Sequence, residues 1–416
     1  MLVSESPASS GAFCYWEIVW VDCYDAATPF AIEPVMRLLH TADWHLGRLF
    51  HNLSLLDDQR HVLSQLLEII DREKVEAVLI AGDIYDRSVP PSAAVTLLDE
   101  VLHALCEVRK LPVIMISGNH DGAERLRFGA RHLRQAGLHI LSDLADFATP
   151  VTLTIDGVEV DVFGIPYADP EHVRSHFKVD VHDFDGAHRY LVERISEQRH
   201  PTRRCILMSH CFVAGGSASD SERPLTLGGA ESVAWEPMQG FDYVALGHLH
   251  GPQYRGGEHI RYSGSILKYS FSEARQHKGV TLVDLDAGGV TKIEQITLLP
   301  SREVRVLEGE IDALIAQGRT DKNADDYLLV RLTDRHAILD PMGKLREVYP
   351  NVLHLEKPGM LETRGGQQLD RERLRFDALD MFGDFFNQTS GEAMSEEQAR
   401  AMAELINQLQ RDEAQG

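Results

Sequence analysis

The chain has 416 residues, of which 44% are hydrophobic and 25% are charged, the composition of an ordinary soluble globular protein. Its formal net charge is −23, because 64 acidic residues outnumber 41 Lys and Arg. This balance argues against a passive nucleic-acid binder with a basic face, so any contact with DNA requires local basic patches, bound metals or a partner. No apolar run approaches the roughly 20 residues that a membrane-spanning helix needs, so no membrane partner is expected.

Residues 1–35 differ from the rest of the chain, because they contain acidic residues but no Lys, Arg or His. A secretory signal needs a positive start and an unbroken apolar stretch, which excludes that role. We interpret the segment as an upstream translation artefact, with Met36 as the natural start. The alternative is a short appended segment that packs Trp16, Ile18 and Trp20 on the surface.

Residues 36–299 alternate short apolar runs with amphipathic stretches, as buried strands and covering helices do. The predicted strands are 37–39, 77–80, 113–116, 158–163, 205–208 and 243–246. Over 61–71, the spacing of Val62, Leu66 and Ile70 predicts a helix. The pattern therefore predicts an α/β fold in which helices cover a sheet and ligands collect beyond the carboxyl ends of the strands.

From residue 300 the pattern predicts a second, smaller β-α-β-α-β unit over 300–356. Its predicted strands are 303–307, 327–332 and 352–355, separated by helices over 311–317 and 341–348. A Gly-rich, charged stretch over 357–373 is typical of a linker.

Residues 374–416 have the pattern of two amphipathic helices. The first has an apolar stripe made of Leu379, Phe382, Phe385 and Phe386. The second is expected to begin at Ser395, with Gln398 completing a capping box, and its stripe consists of Ala399, Met402, Leu405, Ile406 and Leu409. The helices either pack on their own domain or dock on a partner, and the preceding linker favours the partner.

The chain has five cysteines, which is an odd number, and no Cys-x-x-Cys pair. They are Cys14, Cys23, Cys106, Cys205 and Cys211. A disulfide framework or a cysteine-based zinc site is therefore not expected, and the pattern is typical of a reducing cytoplasm.

Polar clusters follow the predicted strands. They are Asp43-Trp44-His45, Gly82-Asp83-Ile84-Tyr85-Asp86, Gly118-Asn119-His120-Asp121 and Gly247-His248-Leu249-His250, with His210 alone at the end of another strand. Carboxylate, amide and imidazole groups are the ligands that divalent metals prefer. Two ligands at i and i+2 can turn towards one ion as the chain leaves the sheet, and Asp83 is the natural bridge between two ions. Two metals roughly 3.5–4 Å apart clamp a phosphoryl group and activate a water.

Taken singly, each cluster has a plain structural explanation, because Gly-Asp commonly forms a turn and Asp-x-His commonly caps a helix. Their occurrence in order, each after a strand, favours a metal site. His120 lies beside Asn119 and is interpreted as the general acid that contacts the phosphate and protonates the leaving oxygen. In this interpretation Asp121 orients the ring of His120; the alternative is that His120 only supports its neighbours.

These clusters, in this order, resemble the calcineurin-like metallophosphoesterase superfamily. Further segments resemble the SbcD family, the nuclease subunits of bacterial SbcCD complexes, over residues 36 to about 410. They are Asp43-Trp44-His45-Leu46-Gly47, Gly118-Asn119-His120-Asp121, Ser219-Asp220-Ser221-Glu222-Arg223, Gly247-His248-Leu249-His250-Gly251-Pro252-Gln253, Tyr262-Ser263-Gly264-Ser265 and Tyr269-Ser270-Phe271-Ser272-Glu273. Two departures are Asp86, where some relatives carry His, and Ile266, where Pro is usual.

The resemblance implies a β-sandwich core flanked by helices, with 300–356 as a capping domain and 374–416 as helices that bind an SbcC-type ATPase. It implies a DNA exonuclease and endonuclease in a heterotetramer of two nuclease and two ATPase chains, in which the nuclease chains form a homodimer. The cofactors would be two Mn²⁺, with Mg²⁺ as the alternative metal. The ligands of the first would be Asp43, His45, Asp83 and His250, and those of the second Asp83, Asn119, His210 and His248. His120 would be catalytic, with Asp121, Asp86 and Arg87 in support.

Two other functions fit the same residues less well. A small-molecule phosphodiesterase or phosphatase would use the same metal site, but it would not need the capping unit and the tail helices. A non-catalytic subunit that regulates an ATPase should have lost ligands, whereas all seven predicted ligand positions are filled.

Overall fold

The computed structural model describes residues 35–155, 157–222, 231–334, 336, 338–357, 379, 382–383, 386 and 394–413. All of them belong to one structural unit, Pro34–Gly416. The predictions made for residues 1–34, Arg223, the linker beyond residue 357, Phe385 and the side chain of Leu409 lie outside the described residues.

The strands of the described residues are numbered in chain order. They are β1 (Met36–Thr41), β2 (Leu49–Phe50), β3 (Leu53–Ser54), β4 (Ala77–Ile80), β5 (Val113–Ile116), β6 (Leu138–Leu141), β7 (Val151–Ile155), β8 (Val158–Ile165), β9 (Arg204–His210), β10 (Phe212–Val213), β11 (Ser232–Val233), β12 (Tyr243–Gly247), β13 (Gln253–Arg255), β14 (Gly257–Tyr262), β15 (Gly279–Asp286), β16 (Gly289–Thr297), β17 (Val304–Gly309), β18 (Tyr327–Leu332) and β19 (Val352–Glu356).

The α-helices are numbered in the same way. They are α1 (Leu56–Glu73), α2 (Ser92–Leu102), α3 (Ala123–Leu126), α4 (Ala130–Leu133), α5 (Pro170–Phe177), α6 (Phe184–Gln198), α7 (Ile311–Gly318), α8 (Pro341–Arg346) and α9 (Glu396–Glu413). A π-helical turn, His103–Val108, continues α2, and short 3₁₀ turns lie at Arg134–Ala136, Glu236–Gly240 and Phe271–Glu273.

Two six-stranded sheets form the body of the unit. The first has the order β16-β15-β1-β4-β5-β6, in which β1, β4, β5 and β6 are parallel and β15 and β16 add antiparallel. The second has the order β13-β14-β12-β9-β8-β7, with a parallel centre and antiparallel edge strands β13 and β7. Both sheets are mixed because crossover segments join their central strands, whereas tight turns suffice at the antiparallel edges.

The sheets pack face to face, and apolar side chains from both fill the space between them. Examples are Leu38, Leu79 and Ile114 from the first sheet and Val162, Met208 and Ala245 from the second. Helices α1 and α2 cover the outer face of the first sheet, and α5 and α6 cover that of the second. Strands covered on both faces read as continuous apolar runs, as the sequence does here. The predicted α/β fold, a β-sandwich flanked by helices, is confirmed.

Helix α1 brings two polar side chains to positions that matter for the rest of the molecule. Its apolar face buries Val62, Leu66 and Ile70 against the first sheet, at the helical spacing read from the sequence. Its first two turns carry Asp58 and Gln59, both of which are buried. Packing of the apolar face therefore fixes both polar side chains inside the protein.

Strands β17, β18 and β19 form a separate three-stranded parallel sheet, with α7 and α8 in the crossovers. This unit has its own small core, which includes Leu328, Val330, Leu345 and Tyr349. We call residues 300–356 the cap. An ion pair of 3.3 Å between Arg302 Nη1 and Asp58 Oδ1 ties the cap to α1.

Helix α9 begins with the capping box expected at Ser395. The Ser395 backbone N–H donates to Gln398 Oε1 at 2.9 Å, and the Gln398 N–H donates to Ser395 Oγ at 3.3 Å. In the preceding segment, Leu379, Phe382 and Phe386 are helical. Within the described residues, no helix has the length and apolarity required to cross a membrane.

Candidate metal centre

The seven predicted ligands lie at the carboxyl ends of parallel strands drawn from both sheets. They are Asp43 and His45 after β1, Asp83 after β4, Asn119 after β5, His210 at the end of β9, and His248 and His250 after β12. A hydrogen bond of 2.9 Å between His210 Nδ1 and the Ala81 carbonyl joins the two sheets at this edge. Residues separated by more than 200 positions in the chain therefore meet in one site.

Four of these residues have an unusual backbone conformation. The φ angles of Asp43, His45, Asp83 and His248 are +54°, +44°, +49° and +108°. Residues other than glycine pay roughly 1–3 kcal/mol for such conformations, which persist where the surrounding structure enforces them and cluster at functional sites. Here backbone hydrogen bonds enforce two of them, from Asp43 N–H to Gly82 O at 3.0 Å and from His45 N–H to Asp83 O at 2.9 Å.

Two glycines permit the ligand-bearing segments to come together. Gly82 has a φ of +92°, and a Cβ atom there would overlap the ring of His210. A Cβ atom on Gly118 would overlap the carboxylate of Asp83. Close approach therefore requires glycine at both positions, and the positive φ of Gly82 is a second reason for glycine there.

One group of ligand atoms forms around His45. Its Nε2 lies 3.0 Å from His250 Nε2 and 3.5 Å from Asp83 Oδ2. An oxygen of Asp43 lies within 4.8 Å of ligand nitrogens of both histidines. Asp43, His45, Asp83 and His250 can therefore surround one ion.

A second group forms around Asn119. Its Oδ1 lies 3.0 Å from His210 Nε2 and 3.1 Å from His248 Nδ1. Asp83 Oδ2 lies 3.5 Å from His210 Nε2. The same oxygen of Asp83 thus faces both groups, as a bridging carboxylate must. Asp43 also lies within reach of this second group, because its carboxylate clusters with the carboxylate of Asp83 and the imidazole of His210.

The chemistry of these donors fits divalent metal ions. Asp43 Oδ2 is buried and has no hydrogen-bond partner in the described residues. Burying a carboxylate oxygen is costly unless a cation or a donor satisfies it. The two Nε2 atoms of His45 and His250 face each other at 3.0 Å, an arrangement that suits two lone pairs directed at one cation. The donor set of carboxylate, amide and imidazole groups is the one expected for such an ion.

The pKa values of the site agree with this fit. Burial lowers the pKa of His45 well below its ordinary value and that of His248 to about 3, so both rings are neutral, as metal ligands must be. Burial raises the pKa of Asp43 to about 7. For His210 burial opposes protonation, but the carboxylate of Asp83 outweighs it and raises the pKa to about 9. Without an added cation, the site therefore holds the carboxylate of Asp43 at an electrostatic cost, and His210 carries a proton that a bound cation would displace.

His120 lies next to this centre. Its ring packs edge-on against that of His45, with centroids 4.7 Å apart, and its Nδ1 lies 2.8 Å from the Asp86 carbonyl. The Asp86 side chain accepts a hydrogen bond from Arg48 at 3.1 Å. Arg87 follows directly and is exposed. The Asp86 backbone thus orients the catalytic candidate.

Asp121 was expected to orient the ring of His120, but the hydrogen bonds described for its carboxylate go to backbone groups. Its carboxylate accepts hydrogen bonds from the backbone N–H groups of Ile84, Tyr85 and Gly118, at 3.1, 2.9 and 2.9 Å. It therefore ties the loop after β4 to the loop after β5, so that Asp83 and Asn119 keep their relative positions. The hydrogen bond described above for the ring of His120 is instead the one between its Nδ1 and the Asp86 carbonyl oxygen, which accepts.

Sequence reasoning missed Gln59 as a supporting residue. Its side-chain amide donates to the His45 carbonyl at 2.8 Å, and its oxygen accepts from Gly47 N–H at 3.0 Å. It thus braces the loop that carries Asp43 and His45. A single glutamine on an amphipathic helix gives no sequence signal of this role. Ser221, Glu222, Glu273 and Lys278, which lie behind His250, were also missed as supports, although Ser221, Glu222 and Glu273 belong to segments that the resemblance singled out.

Comparison with known proteins places this geometry in a family. The family model described as calcineurin-like phosphoesterase matches residues 36–252, and a model described as type 5 capsule protein repressor C-terminal domain matches residues 300–390. A curated relative, the D subunit of the nuclease SbcCD from Staphylococcus epidermidis, is 39% identical over 321 residues, which are 77% of this chain and 85% of the relative.

Two solved structures share lower similarity. Protein TT1561 of Thermus thermophilus is 13% identical, with a TM-score of 0.37 over 64% of this chain and 99% of its own. A dimetal phosphatase from Danio rerio is 14% identical, with a TM-score of 0.39 over 64% of this chain and 100% of its own.

Two findings lead to the same assignment. One is the family model that spans the ligand-bearing region, and the other is the extent of identity to the staphylococcal relative. This chain belongs to the calcineurin-like phosphoesterases and, among them, to the SbcD family.

Proposed function

We propose that this chain is a metal-dependent DNA nuclease that hydrolyses phosphodiester bonds as part of an SbcCD-type complex. It would act as exonuclease and endonuclease on DNA ends and hairpins during repair, recombination and replication. One observation carries the proposal: Asp83 Oδ2 lies 3.5 Å from both His45 and His210, at the junction of two donor groups. The name of the staphylococcal relative, which belongs to a nuclease, supports nucleic acid as the substrate.

The proposed cofactors are two Mn²⁺ ions, with Mg²⁺ as the alternative. Asp43, His45, Asp83 and His250 would hold one ion, and Asp83, Asn119, His210 and His248 the other. When bound, such a metal pair polarises a phosphoryl group and lowers the pKa of a water. The chain itself would supply imidazoles and buried carboxylates at fixed positions, which spares reorganisation when charge develops.

His120 is the proposed general acid. Its Nδ1 lies 2.8 Å from the Asp86 carbonyl, and as the donor of that bond it would leave proton delivery to Nε2. Arg48 holds Asp86 from its other side, while Asp121 fixes the loops on which Asp83 and His120 stand. Arg87, exposed beside Asp86, is proposed to support the site from the surface. A positioned general acid contributes about 10²–10⁴-fold to the rate.

The tail is the proposed docking element for an SbcC-type ATPase. In α9, Leu405 is 54% exposed and Met402 is half-buried, so the apolar stripe lacks full cover within the described residues. We assign 36–299 to the nuclease domain, 300–356 to the cap, 357–373 to a linker and 374–416 to the docking helices. A partner that grips DNA also removes the difficulty posed by a net charge of −23.

A second copy of the chain is the other proposed partner. Phe128 is 86% exposed and Leu133 is 37% exposed, in the segment of α3 and α4 that follows the His120 loop. Exposed apolar side chains that form a patch mark protein contacts. We propose that this segment forms a homodimer within a complex of two nuclease and two ATPase chains. The proposed location is the cytoplasm, at the nucleoid.

The test is cleavage of an end-labelled DNA hairpin with Mn²⁺, with and without the ATPase partner and ATP. We expect cleavage that depends on the metal and disappears in Asp83→Asn. Phosphoserine peptides and cyclic nucleotides serve as competing substrates in parallel assays. Strong turnover of either, with DNA left intact, would replace the nuclease by a phosphatase or a small-molecule phosphodiesterase.

A further inference from the structure

His250 is held from behind by residues that are not themselves predicted ligands. Its Nδ1 lies 2.6 Å from Ser221 Oγ, and the hydroxyl of Ser221 donates a short hydrogen bond to Glu273 Oε1. A hydroxyl has one proton to give. If Ser221 gives that proton to the carboxylate, it accepts from His250 Nδ1–H. The relay therefore fixes the proton on Nδ1 and leaves the lone pair on Nε2, which faces His45 Nε2 at 3.0 Å.

The backbone of His250 is fixed by the same cluster. Glu222 Oε1 accepts from the His250 N–H at 2.8 Å, and Lys278 Nζ donates to the His250 carbonyl at 2.7 Å. Lys278 also pairs with Glu273 Oε2 at 2.5 Å. His250 is thus restrained at its amide, its carbonyl and its ring.

These groups are shielded from water. Glu273 is 0% exposed, Lys278 4% and Ser221 8%. A buried ion pair is poor evidence of a contribution to stability, because desolvation of both charges offsets much of their attraction. Orientation of a metal-binding histidine explains the buried Glu273 carboxylate better than stability does. Such partners set the tautomer of the histidine and raise the basicity of its ligand nitrogen.

The other histidines differ in how they are held. His210 Nδ1 is held by the Ala81 carbonyl at 2.9 Å, a backbone group that substitution cannot remove. His45 Nδ1 has no hydrogen-bond partner in the described residues. The ring of His250 therefore depends on side chains, and its orientation can be tested by substitution.

We propose that Glu273, acting through Ser221 and held by Lys278, is a positioning residue that sets the affinity of the metal site containing His250. This inference rests on the proposed function, because it assumes that His250 binds an ion. It assigns a role to the segments 219–222 and 269–273, which contain no predicted ligand. It also predicts asymmetry between the two ions, since the hydrogen bonds described above for Asn119, His210 and His248 join them to one another and to Ala81, and not to the relay.

The test is titration of the metal-free full-length chain with Mn²⁺. Calorimetry measures the affinity of each site, and electron paramagnetic resonance detects the signal of the coupled ion pair. Glu273→Gln removes the charge of the relay. Ser221→Ala removes the hydroxyl between Glu273 Oε1 and His250 Nδ1, which are themselves 3.5 Å apart, without changing any charge. The matched control is Asp161→Asn. Asp161 is a buried carboxylate that accepts from the Thr152 hydroxyl at 2.6 Å and pairs with Arg203, on the outer strands of the second sheet.

We expect both relay variants to weaken one Mn²⁺ site by about 10–100-fold and to lose the coupled-pair signal, while the other site keeps its affinity. Asp161→Asn should bind both ions as the wild type does. Wild-type affinity at both sites in Ser221→Ala and Glu273→Gln would overturn the inference. Equal weakening of both sites, together with a lower melting temperature, would also overturn it, because that result describes a structural role. A wild-type chain that binds no pair of ions would instead overturn the proposed function and this inference with it.

Discussion

The Oδ1 atom of Asp83 accepts a hydrogen bond of 2.8 Å from the backbone N–H of His120. The bridging candidate of the metal centre thus also positions the loop that carries the catalytic candidate. Its other oxygen, Oδ2, faces His45 and His210. One carboxylate therefore contacts both the candidate metal centre and the loop of the proposed general acid, and substitutions can test the two roles separately.

Asp83→Asn should lose metal binding while keeping the His120 loop in place. The amide oxygen can still accept from His120 N–H, but the charge between the two donor groups disappears. We expect loss of both Mn²⁺ ions from the titration and at least about 1000-fold less DNA cleavage, equivalent to about 4 kcal/mol. Asp161→Asn is again the control. Retention of two tightly bound ions would contradict the bridging role of Asp83.

His120→Asn should have the opposite profile. The substitution removes the proposed acid but leaves all seven predicted ligands, so Mn²⁺ binding should persist. The cleavage rate should fall by about 10²–10⁴-fold, measured in single-turnover reactions with saturating Mn²⁺. Cleavage at the wild-type rate would remove His120 from catalysis and leave it with a supporting role.

The attachment of the cap to α1 should contribute measurably to stability. The Tyr327 hydroxyl donates to Asp58 Oδ2 at 2.7 Å, and Arg302 and Ser301 also contact this buried carboxylate. Tyr327→Phe removes one donor from a buried charge, which typically costs about 1.5–3 kcal/mol. Urea unfolding followed by fluorescence should report this loss. Tyr254→Phe, at a 48% exposed position, should leave the free energy of unfolding unchanged. An equal loss of stability in Tyr254→Phe would show that the contact with Asp58 does not account for the effect of Tyr327→Phe.

The central strands and the candidate ligands stand out in the local sequence pattern for a physical reason. Strands such as β4 and β5 are buried on both faces, so they appear as uninterrupted apolar runs, and polar residues stand out where they end. The division into two sheets was not predictable from local pattern and was expected only from the family resemblance, because pairing between β1 and β15, for example, joins residues almost 250 positions apart. The support of His250 was hidden for the same reason, since Ser221 and Glu273 are separated by 52 residues.

Helix α9 should be required for binding the ATPase partner. Its capping box at Ser395 and Gln398 lets the helix begin without outside help, while Leu405 remains 54% exposed. Leu405→Asp should weaken association with an SbcC-type ATPase by at least about 10-fold in calorimetry, and Mn²⁺ binding should not change. Arg400→Ala, at an exposed position on the same helix, is the control. Full affinity in the Leu405 variant would exclude this stripe as the docking surface.

Phe128→Glu should convert a dimer into a monomer. Phe128 is the most exposed large apolar side chain among the described residues, at 86%, and Leu133 lies five positions further along the same segment. A two-fold symmetric contact uses the same patch on both copies, so one substitution places two charges in the interface. Light scattering coupled to size exclusion should give half the wild-type mass. Val108→Glu, at a position 64% exposed on another element, should keep the wild-type mass. If Phe128→Glu stays dimeric, the interface lies elsewhere on the chain. If the wild type is a monomer, the homodimer is refuted. In each case the apolar segment lacks the partner proposed for it.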